Sequence, residues 1–388
     1  MAVLITGIGE LTTNDAELGK LRDAAVVVEG ETIAWAGSAA DAPDADERID
    51  VDGRAVLPGW VDSHTHLVFA GDRTAEFEAR MAGKAYSAGG IAVTVDATRS
   101  ASDEQLAANL RRHVDEAVKQ GTTCLETKTG YGLNVEDEVR SARIAADVAD
   151  EVTFLGAHLV PPGADAESYV DLVCGDMLDA VAPLVRWADV FCETGAFDEA
   201  QSARVLKVAR ERGLGLRVHG NQLGEGPGVR LAVELGAASV DHCTYLSEAD
   251  VEALAASDTV ATLLPACDLS TRQPLAPARR LLDAGATVAL ASNANPGSSY
   301  TTSMAFCVTT AVLQMRMTIE EAVWSATAGG ARALRRDDVG VLRPGARADL
   351  QVLEAPSVTH LAYRPGVPLT AAVWRRGELL TSGFASKR

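Results

Sequence analysis

Two histidines separated by one residue, His64 and His66, end a short apolar segment with the sequence WVDSHTHL at residues 60–67. If this segment is a β-strand, its period of two places both imidazoles on the same face. Neutral imidazole is a good ligand for zinc, iron or nickel. Because a His-X-His pair also arises by chance, the pair alone indicates a metal site only weakly.

Three further histidines, His158, His219 and His242, each end another segment that we predict to be a strand. Three imidazoles around one ion leave positions open for water and substrate, as a catalytic rather than a structural site requires. A metal ion acidifies bound water and polarises the group that the water attacks. The pattern therefore favours hydrolysis of a C–N bond. The other two histidines, His113 in a charged helix and His360 near the C-terminal end, are expected to face solvent.

Eight short segments rich in Val, Leu, Ile and Thr alternate with segments of helical periodicity, which is typical of parallel strands joined by helices. The eight segments lie at 60–67, 122–127, 152–158, 188–193, 215–220, 239–243, 260–265 and 288–293. Eight such units predict an α/β fold, a (β/α)8 TIM barrel with its active site at the C-terminal ends of the strands. An open doubly wound sheet is the alternative, but the stretch TGIGE at 6–10 lacks the full GxGxxG spacing and a following helix.

Both ends of the chain have β character, with alternating apolar and polar residues around Gly-containing turns. The segments concerned are 23–37, 49–58, 340–355 and 369–380. We expect residues 1–58 and 339–388 to combine into a small β-sandwich domain. Residues 59–338 would then form the barrel domain.

Composition restricts the partners of this chain of 388 residues. With 54 acidic against 35 basic residues, its formal net charge of -19 disfavours nucleic acid and anionic membrane surfaces. The N-terminus has no basic segment followed by an apolar run, so a secretory signal is not expected and the cytoplasm is the predicted location. Six cysteines without CxxC spacing predict buried thiols rather than disulfides or metal ligands.

Several longer motifs occur in a fixed order along the chain. They are VLPGWVDSHTH (56–66), HTHLVFAGDR (64–73), ETKTGYGL (126–133), FLGAHLVPP (154–162), FCETGAFD (191–198), HGNQL (219–223) and NPGSS (295–299). Together they resemble the amidohydrolase superfamily and, within it, the imidazolonepropionase family, over nearly the whole chain. The resemblance implies that water opens the ring of 4-imidazolone-5-propanoate to N-formimidoyl-L-glutamate, a step of histidine degradation. It further implies one zinc or iron ion, a small-molecule substrate with a carboxylate, and a homodimer.

The resemblance also assigns roles residue by residue. The implied metal ligands are His64, His66, His219 and Asn293, and the implied catalytic residues are His242, Asn293 and Gln222. Arg73 matches a clamp for the substrate carboxylate, for which a guanidinium offers paired donors. The other implied substrate contacts are Tyr131, His158, Gln222, Asn295, Gly297 and Ser298.

The sequence departs from the family pattern at Asn293, where the family normally has aspartate before the NPG motif. An amide keeps one oxygen ligand but cannot accept the proton of the attacking water. Loss of a general base typically costs about 10²–10⁴-fold in rate. Three alternatives therefore stay open: a weakened imidazolonepropionase, a divergent paralogue acting on a related heterocycle, and a protein that binds without turnover.

Overall fold

The computed structural model describes residues 1–84 and 90–382. One of its two sheets is built from the two ends of the chain. Its eight strands are Ala2–Thr12, Lys20–Glu29, Thr32–Ser38, Glu47–Asp50, Ala55–Pro58, Leu350–Leu353, Thr370–Arg375 and Glu378–Ser382. The antiparallel pairing of Leu350–Leu353 with Ala55–Pro58 joins the two ends, as predicted. The long strand Ala2–Thr12, which the sequence pattern did not reveal, pairs with three others and carries much of this sheet's core.

The other sheet follows the chain in order, as a (β/α)8 barrel requires. Its strands are Trp60–Asp62, Thr122–Lys128, Glu151–Ala157, Trp187–Cys192, Gly215–Gly220, Ser239–His242, Val260–Leu263 and Val288–Leu290. Pairing along the sheet is parallel, for example between Gly215–Gly220 and its two neighbours. The eight predicted strand segments are all present, and the TIM-barrel prediction is confirmed.

The first and eighth barrel strands are shorter than predicted, since they end at Asp62 and Leu290. His64 and His66 therefore lie in the loop beyond the first strand, and the expectation that a strand period aligns them is wrong. Two backbone hydrogen bonds link this loop to the loop after the eighth strand: Asn293 N–H donates to the His64 carbonyl at 3.0 Å, and His66 N–H donates to the Ala294 carbonyl at 2.9 Å. These two loops thus carry three of the predicted metal ligands, His64, His66 and Asn293.

Helices lie in most connections between the barrel strands, and further helices follow the last barrel strand in the sequence. The α-helices are Thr74–Met81, Ile91–Ser100, Asp103–Lys119, Val135–Ala146, Ala166–Leu172, Leu178–Val181, Glu199–Glu211, Gly228–Glu234, Glu248–Ala255, Pro265–Thr271, Ala278–Asp283, Met304–Gln314, Ile319–Trp324, Gly330–Ala333 and His360–Tyr363. Several begin at side-chain caps: Asn134 accepts from Asp137 N–H, and Asp198 forms a capping box with Gln201. Among the described residues, no helix has the length and apolar character that crossing a membrane would need.

The described residues fall into two compact units, one within Met1–Asp62, Glu116–Cys124 and Ser303–Arg388, the other within Ser63–Asp115 and Leu125–Thr302. The domain boundaries predicted at 58/59 and 338/339 stay a prediction. All six cysteines lie in the described chain, and each is buried as a thiol without a disulfide, as predicted. The expectation for His113 is wrong: it is buried, and its ring stacks on Phe69 with the centroids 5.4 Å apart.

Candidate metal centre and active site

Three imidazole nitrogens converge at the C-terminal end of the barrel. His66 Nε2 lies 3.3 Å from His64 Nε2 and 3.4 Å from His219 Nε2, and all three side chains are buried. Zinc bonds imidazole nitrogen at about 2.0–2.1 Å, so two ligands on one tetrahedral ion are about 3.3 Å apart. The observed spacing matches that value, so one cation between the three nitrogens could accept a lone pair from each. The structure therefore brings the predicted histidine triad together in a form that fits a metal ion.

Two buried carboxylates orient two of these rings. Asp241 Oδ2 lies 2.7 Å from His64 Nδ1, and Asp189 Oδ2 lies 3.0 Å from His219 Nδ1. An ionised carboxylate can only accept, so the hydrogen-bonded His64 ring carries its hydrogen on Nδ1 and turns the lone pair of Nε2 to the centre. Asp189 contacts the His219 ring closely but without hydrogen-bond geometry. Burial lowers the pKa of His64 to about 3 in spite of Asp241, which keeps the ring neutral and able to bind a metal.

Each carboxylate has its own buried cation. Arg217 Nη2 lies 3.2 Å from Asp241 Oδ2, and Lys128 Nζ lies 3.2 Å from Asp189 Oδ2. Burial alone would raise the pKa of Asp241, but Arg217 and then His64 hold it well below its usual range. Sequence reasoning missed all four residues. Their signal was present, however, because each is a charged residue in a short strand segment that is predicted to be buried in the barrel.

Asn293 presents an orphaned oxygen at this centre. Its backbone has a φ of 52°, a left-handed conformation that asparagine tolerates better than most residues. Its Oδ1 is buried and accepts no hydrogen bond from any residue that the structure describes. Its side chain also interacts with the Cys267 thiol. A buried amide oxygen without a donor suits a metal ligand, so the local chemistry fits the predicted role of Asn293.

A pocket of about 360 Å³, part of it open to solvent, lies over the three histidines. It is lined by His66, Arg73, Ile91, Tyr131, His158, Phe191, His219, Gln222, His242, Asn293, Asn295 and Ser298. Every predicted site residue except His64 and Gly297 is therefore on the pocket wall. Ile91 and Phe191 are apolar additions that the motifs did not indicate.

His158 offers a hydrogen-bond acceptor to the pocket. Its Nδ1 lies 2.9 Å from the carbonyl oxygen of Gly130, which can only accept, so Nδ1 carries the hydrogen and Nε2 has the lone pair. Burial lowers its pKa to about 4, so the ring is neutral at pH 7. Glu138 accepts from the backbone N–H groups of Gly130, Gly132 and Leu133 at 2.8–3.0 Å, which fixes the loop that carries Tyr131.

Arg73 is already paired in this structure. Its guanidinium donates three hydrogen bonds to the Glu76 carboxylate, one at 2.9 Å and two at 2.7 Å, and covers Gly297, where an added Cβ would lie 2.1 Å from Nη1. A side chain at position 297 would therefore displace the guanidinium from this place. Arg80, which the motifs did not indicate, donates to the Gly297 carbonyl at 3.0 Å.

The loop after the eighth strand is held largely by itself. Asn295 Oδ1 accepts from the N–H groups of Gly297 and Ser298, both at 2.8 Å, and Asn295 Nδ2 donates to the Asn293 carbonyl at 2.6 Å. The Asn295 amide and the Gly297 N–H are thus used inside the loop. Substrate contacts from these two residues stay a prediction.

The two remaining predicted catalytic residues, His242 and Gln222, line the same pocket. The ligand atoms of His64, His219 and His242 lie within 4.8 Å of one another, so His242 adds a fourth imidazole. Its Nδ1 is buried and has no hydrogen-bond partner among the described residues. Gln222 is fixed by its N–H, which donates to Glu193 Oε2 at 2.9 Å, and its Nε2 lies 3.8 Å from Cys267 Sγ.

Because His158 is buried, we expect the free energy of unfolding of the metal-free protein to depend on pH. As pH falls below 6.5 the unfolded chain protonates this ring, while the folded state does so only near pH 4. The unfolded state then binds more protons, so the free energy of unfolding should drop, by roughly 3 kcal/mol at pH 4. Denaturant titrations from pH 7 to 4 should show a smaller drop in His158→Gln. If the free energy of unfolding has the same pH dependence in His158→Gln and wild type, the lowered pKa of His158 is not the cause of the drop.

Comparison with known proteins identifies relatives that belong to one family. A model of the amidohydrolase family matches residues 55–380 of the chain. The chain is similar to imidazolonepropionase from Saccharopolyspora erythraea, with 77% identity over 384 residues that cover 98% of this chain and 99% of the relative. It is also similar to imidazolonepropionase from Streptomyces coelicolor, with 62% identity over 384 residues that cover 97% and 98% of the two chains.

Two solved structures share the fold at low identity. Atrazine chlorohydrolase from Arthrobacter aurescens TC1, complexed with zinc, matches with a TM-score of 0.74 at 20% identity and covers 98% of this chain and 95% of its own. An adenosine deaminase from Xanthomonas campestris with bound zinc matches with a TM-score of 0.75 at 19% identity, over 98% and 93% of the two chains. At such identities the likeness supports the architecture alone.

Proposed function

The chain belongs to the amidohydrolase family and, within it, to the imidazolonepropionases, and we propose that it hydrolyses 4-imidazolone-5-propanoate to N-formimidoyl-L-glutamate. The observation that carries this proposal is the convergence of His64, His66 and His219 at 3.3–3.4 Å beneath a pocket whose wall includes Arg73. A metal-binding triad below a guanidinium suits a hydrolase for a cyclic amide with a carboxylate tail.

A divalent ion belongs to this function, and its proposed ligands are His64, His66, His219 and the side-chain oxygen of Asn293. When bound, such an ion supplies an activated water and polarises the carbonyl group of the ring. Imidazole and amide ligands suit both zinc and iron. Zinc or iron, a homodimer and a cytoplasmic location all stay predictions of this proposal.

The side chains around the triad would orient the substrate. His158 Nε2 is an acceptor and would hold an N–H group of the imidazolone ring. Arg73 would hold the carboxylate, either by exchanging Glu76 for it or by adding it to the existing pair. Tyr131 would contact the substrate as well. Its ring centroid lies 5.4 Å from that of His158, and its hydroxyl can form a hydrogen bond.

Proton transfer is the step in which this chain differs from the family pattern. Asn293 cannot hold a proton, and Gln222 cannot either. His242 is the neutral imidazole beside the triad with an unpartnered Nδ1, and we assign to it the acceptance of a proton when Asn293 cannot serve. Burial lowers the pKa of His242 well below its usual value, which makes the ring a weak base in the metal-free state.

The proposal is tested by incubating the metal-loaded protein with 4-imidazolone-5-propanoate and identifying the product by mass. N-Formimidoyl-L-glutamate should accumulate, and prior removal of the metal should stop it. If the substrate is bound but stays intact with both zinc and iron, the chain is a binder. If a related heterocycle is opened instead, the divergent-paralogue alternative holds.

Arg73 should select for a carboxylate on the substrate. We expect Arg73→Met to raise KM for acidic substrates roughly 30-fold more than for neutral analogues, because truncating a buried charge-assisted pair costs at least about 2 kcal/mol. Arg230→Met, at an exposed arginine of a peripheral helix, is the matched control and should change neither KM. If the ratio of the two KM values is the same in Arg73→Met and wild type, Arg73 is not the clamp.

A further inference from the structure

A lysine is fully buried in the second barrel strand, directly below the triad. Lys128 Nζ lies 2.7 Å from Glu126 Oε1 and 3.2 Å from Asp189 Oδ2, and none of the three side chains is exposed. An ammonium group removed from water is stable only if it is paired with anions. Lys128 therefore belongs to a fixed buried charge group, and neither the sequence motifs nor the proposed reaction accounts for it.

The carboxylate of Glu126 anchors the loop that carries the first two histidines. Its Oε2 accepts the Thr65 N–H at 3.1 Å, and the Thr65 hydroxyl donates to the backbone carbonyl of Glu126 at 2.6 Å. The Thr153 hydroxyl also donates to Oε1. Thr65 stands between His64 and His66 in the loop beyond the first strand, and its carbonyl also accepts the Lys128 N–H at 2.9 Å. Glu126 thus adds side-chain hydrogen bonds to the backbone hydrogen bonds that hold this loop.

The carboxylate of Asp189 anchors the third histidine twice. Its Oδ1 accepts the backbone N–H of His219 at 3.1 Å, and its Oδ2 lies 3.0 Å from Nδ1 of the same ring. Both the backbone and the ring orientation of His219 therefore depend on where Asp189 sits. Lys128 contacts the same Oδ2 oxygen.

We propose that Lys128 is a positioning residue of the metal centre: its ammonium is the shared counter-cation that links the anchor of the His64–His66 loop to the anchor of His219. An ammonium has no lone pair, so Lys128 acts through Glu126 and Asp189 and not as a ligand. The inference rests on the proposed function, since it assumes that the triad binds a metal ion. Arg217 serves the remaining anchor in the same way, because it contacts both Asp241 and the Ser63 carbonyl, the latter at 2.7 Å.

Removal of the ammonium should loosen the triad before any substrate is present. In Lys128→Met, Glu126 and Asp189 would face each other across a buried space without a cation, and their repulsion would shift both anchors. Loss of a group that orients metal ligands typically weakens metal binding about 10–100-fold. The effect should therefore appear in metal affinity and not only in turnover.

The experiment is a competition titration of metal-free protein with zinc and a chromogenic chelator at neutral pH. Lys128→Met should bind one zinc ion per chain about 10–100-fold more weakly than wild type. Lys207→Met, which removes an exposed lysine from helix Glu199–Glu211, should bind zinc as wild type does. Unchanged zinc affinity in folded Lys128→Met would overturn the proposal.

A double variant covers the case in which Lys128→Met does not fold. The double variant Glu126→Gln with Lys128→Met removes the ammonium and one of its two carboxylates. Only the Asp189 carboxylate of this group then stays buried without its cation, which destabilises the fold less than two unpaired carboxylates would. Asp189 still lacks its cation, so zinc affinity should fall at least about tenfold, and wild-type affinity would overturn the inference. If wild type itself binds no zinc or iron, the proposed function fails as well. If wild type binds zinc and both variants bind it equally well, only the role of Lys128 is wrong.

Discussion

Replacement of His219 by alanine is expected to remove the bound metal ion and to lower ring opening by at least about 10³-fold, because a catalytic ion supplies several kcal/mol of transition-state stabilisation. His219 Nε2 is one corner of the triad, and without it an ion keeps only two imidazole ligands and the weaker amide oxygen of Asn293. Metal analysis and kcat/KM on the same preparation measure both effects.

The matched control for this variant is His360→Ala, which removes a partly exposed histidine of the short helix His360–Tyr363. It should keep wild-type metal content and turnover. If His219→Ala retains the wild-type metal stoichiometry, the ion is held elsewhere. In that case the fourth imidazole, His242, is the ligand to examine next, since its ligand atoms lie within 4.8 Å of those of His64 and His219.

The Asn293→Asp variant should turn over 4-imidazolone-5-propanoate roughly 10²-fold faster or more, with little change in KM. The carboxylate has the shape of the amide and would present an oxygen where Asn293 Oδ1 now lies without a donor. It can also take the proton of the attacking water and pass it to the departing ring nitrogen. Steady-state kinetics of both proteins with the same metal give the comparison.

An Asp variant that is no faster than wild type would mean that another group already takes the proton. His242→Gln in the wild-type background then separates the possibilities. A further large loss of kcat identifies His242 as that group. Unchanged kcat in His242→Gln excludes it and contradicts the proton-transfer role assigned above. A negligible rate in every form, with metal bound, would favour the divergent-paralogue alternative.

The barrel and the triad could be predicted because their signals are local. Alternating strand and helix periodicity marks eight units, and the C-terminal ends of parallel strands meet at one end of a barrel. His219 ends its strand as expected. His64 and His66 converge for a different reason than the predicted one, because long-range hydrogen bonds to Asn293, Ala294 and Glu126 shape their loop.

The charged layer below the triad could not be derived from the pattern. Lys128, Asp189, Arg217 and Asp241 come from four different strands, and the order and register of these strands in the sheet place their side chains against one another. Charged residues inside apolar strands could have marked them as candidates, but not as pairs. His113 shows the converse error: a charged helix suggested exposure, whereas its ring packs against Phe69 in a buried aromatic cluster.

A single catalytic ion is tested by a titration of metal-free protein with zinc or iron in which the rate of 4-imidazolone-5-propanoate opening is followed. His64, His66 and His219 converge on one point, so activity should rise linearly and stop rising at one equivalent of metal per chain. Full activity before any metal is added, or a rise that continues to two equivalents, would contradict a single ion held by His64, His66 and His219.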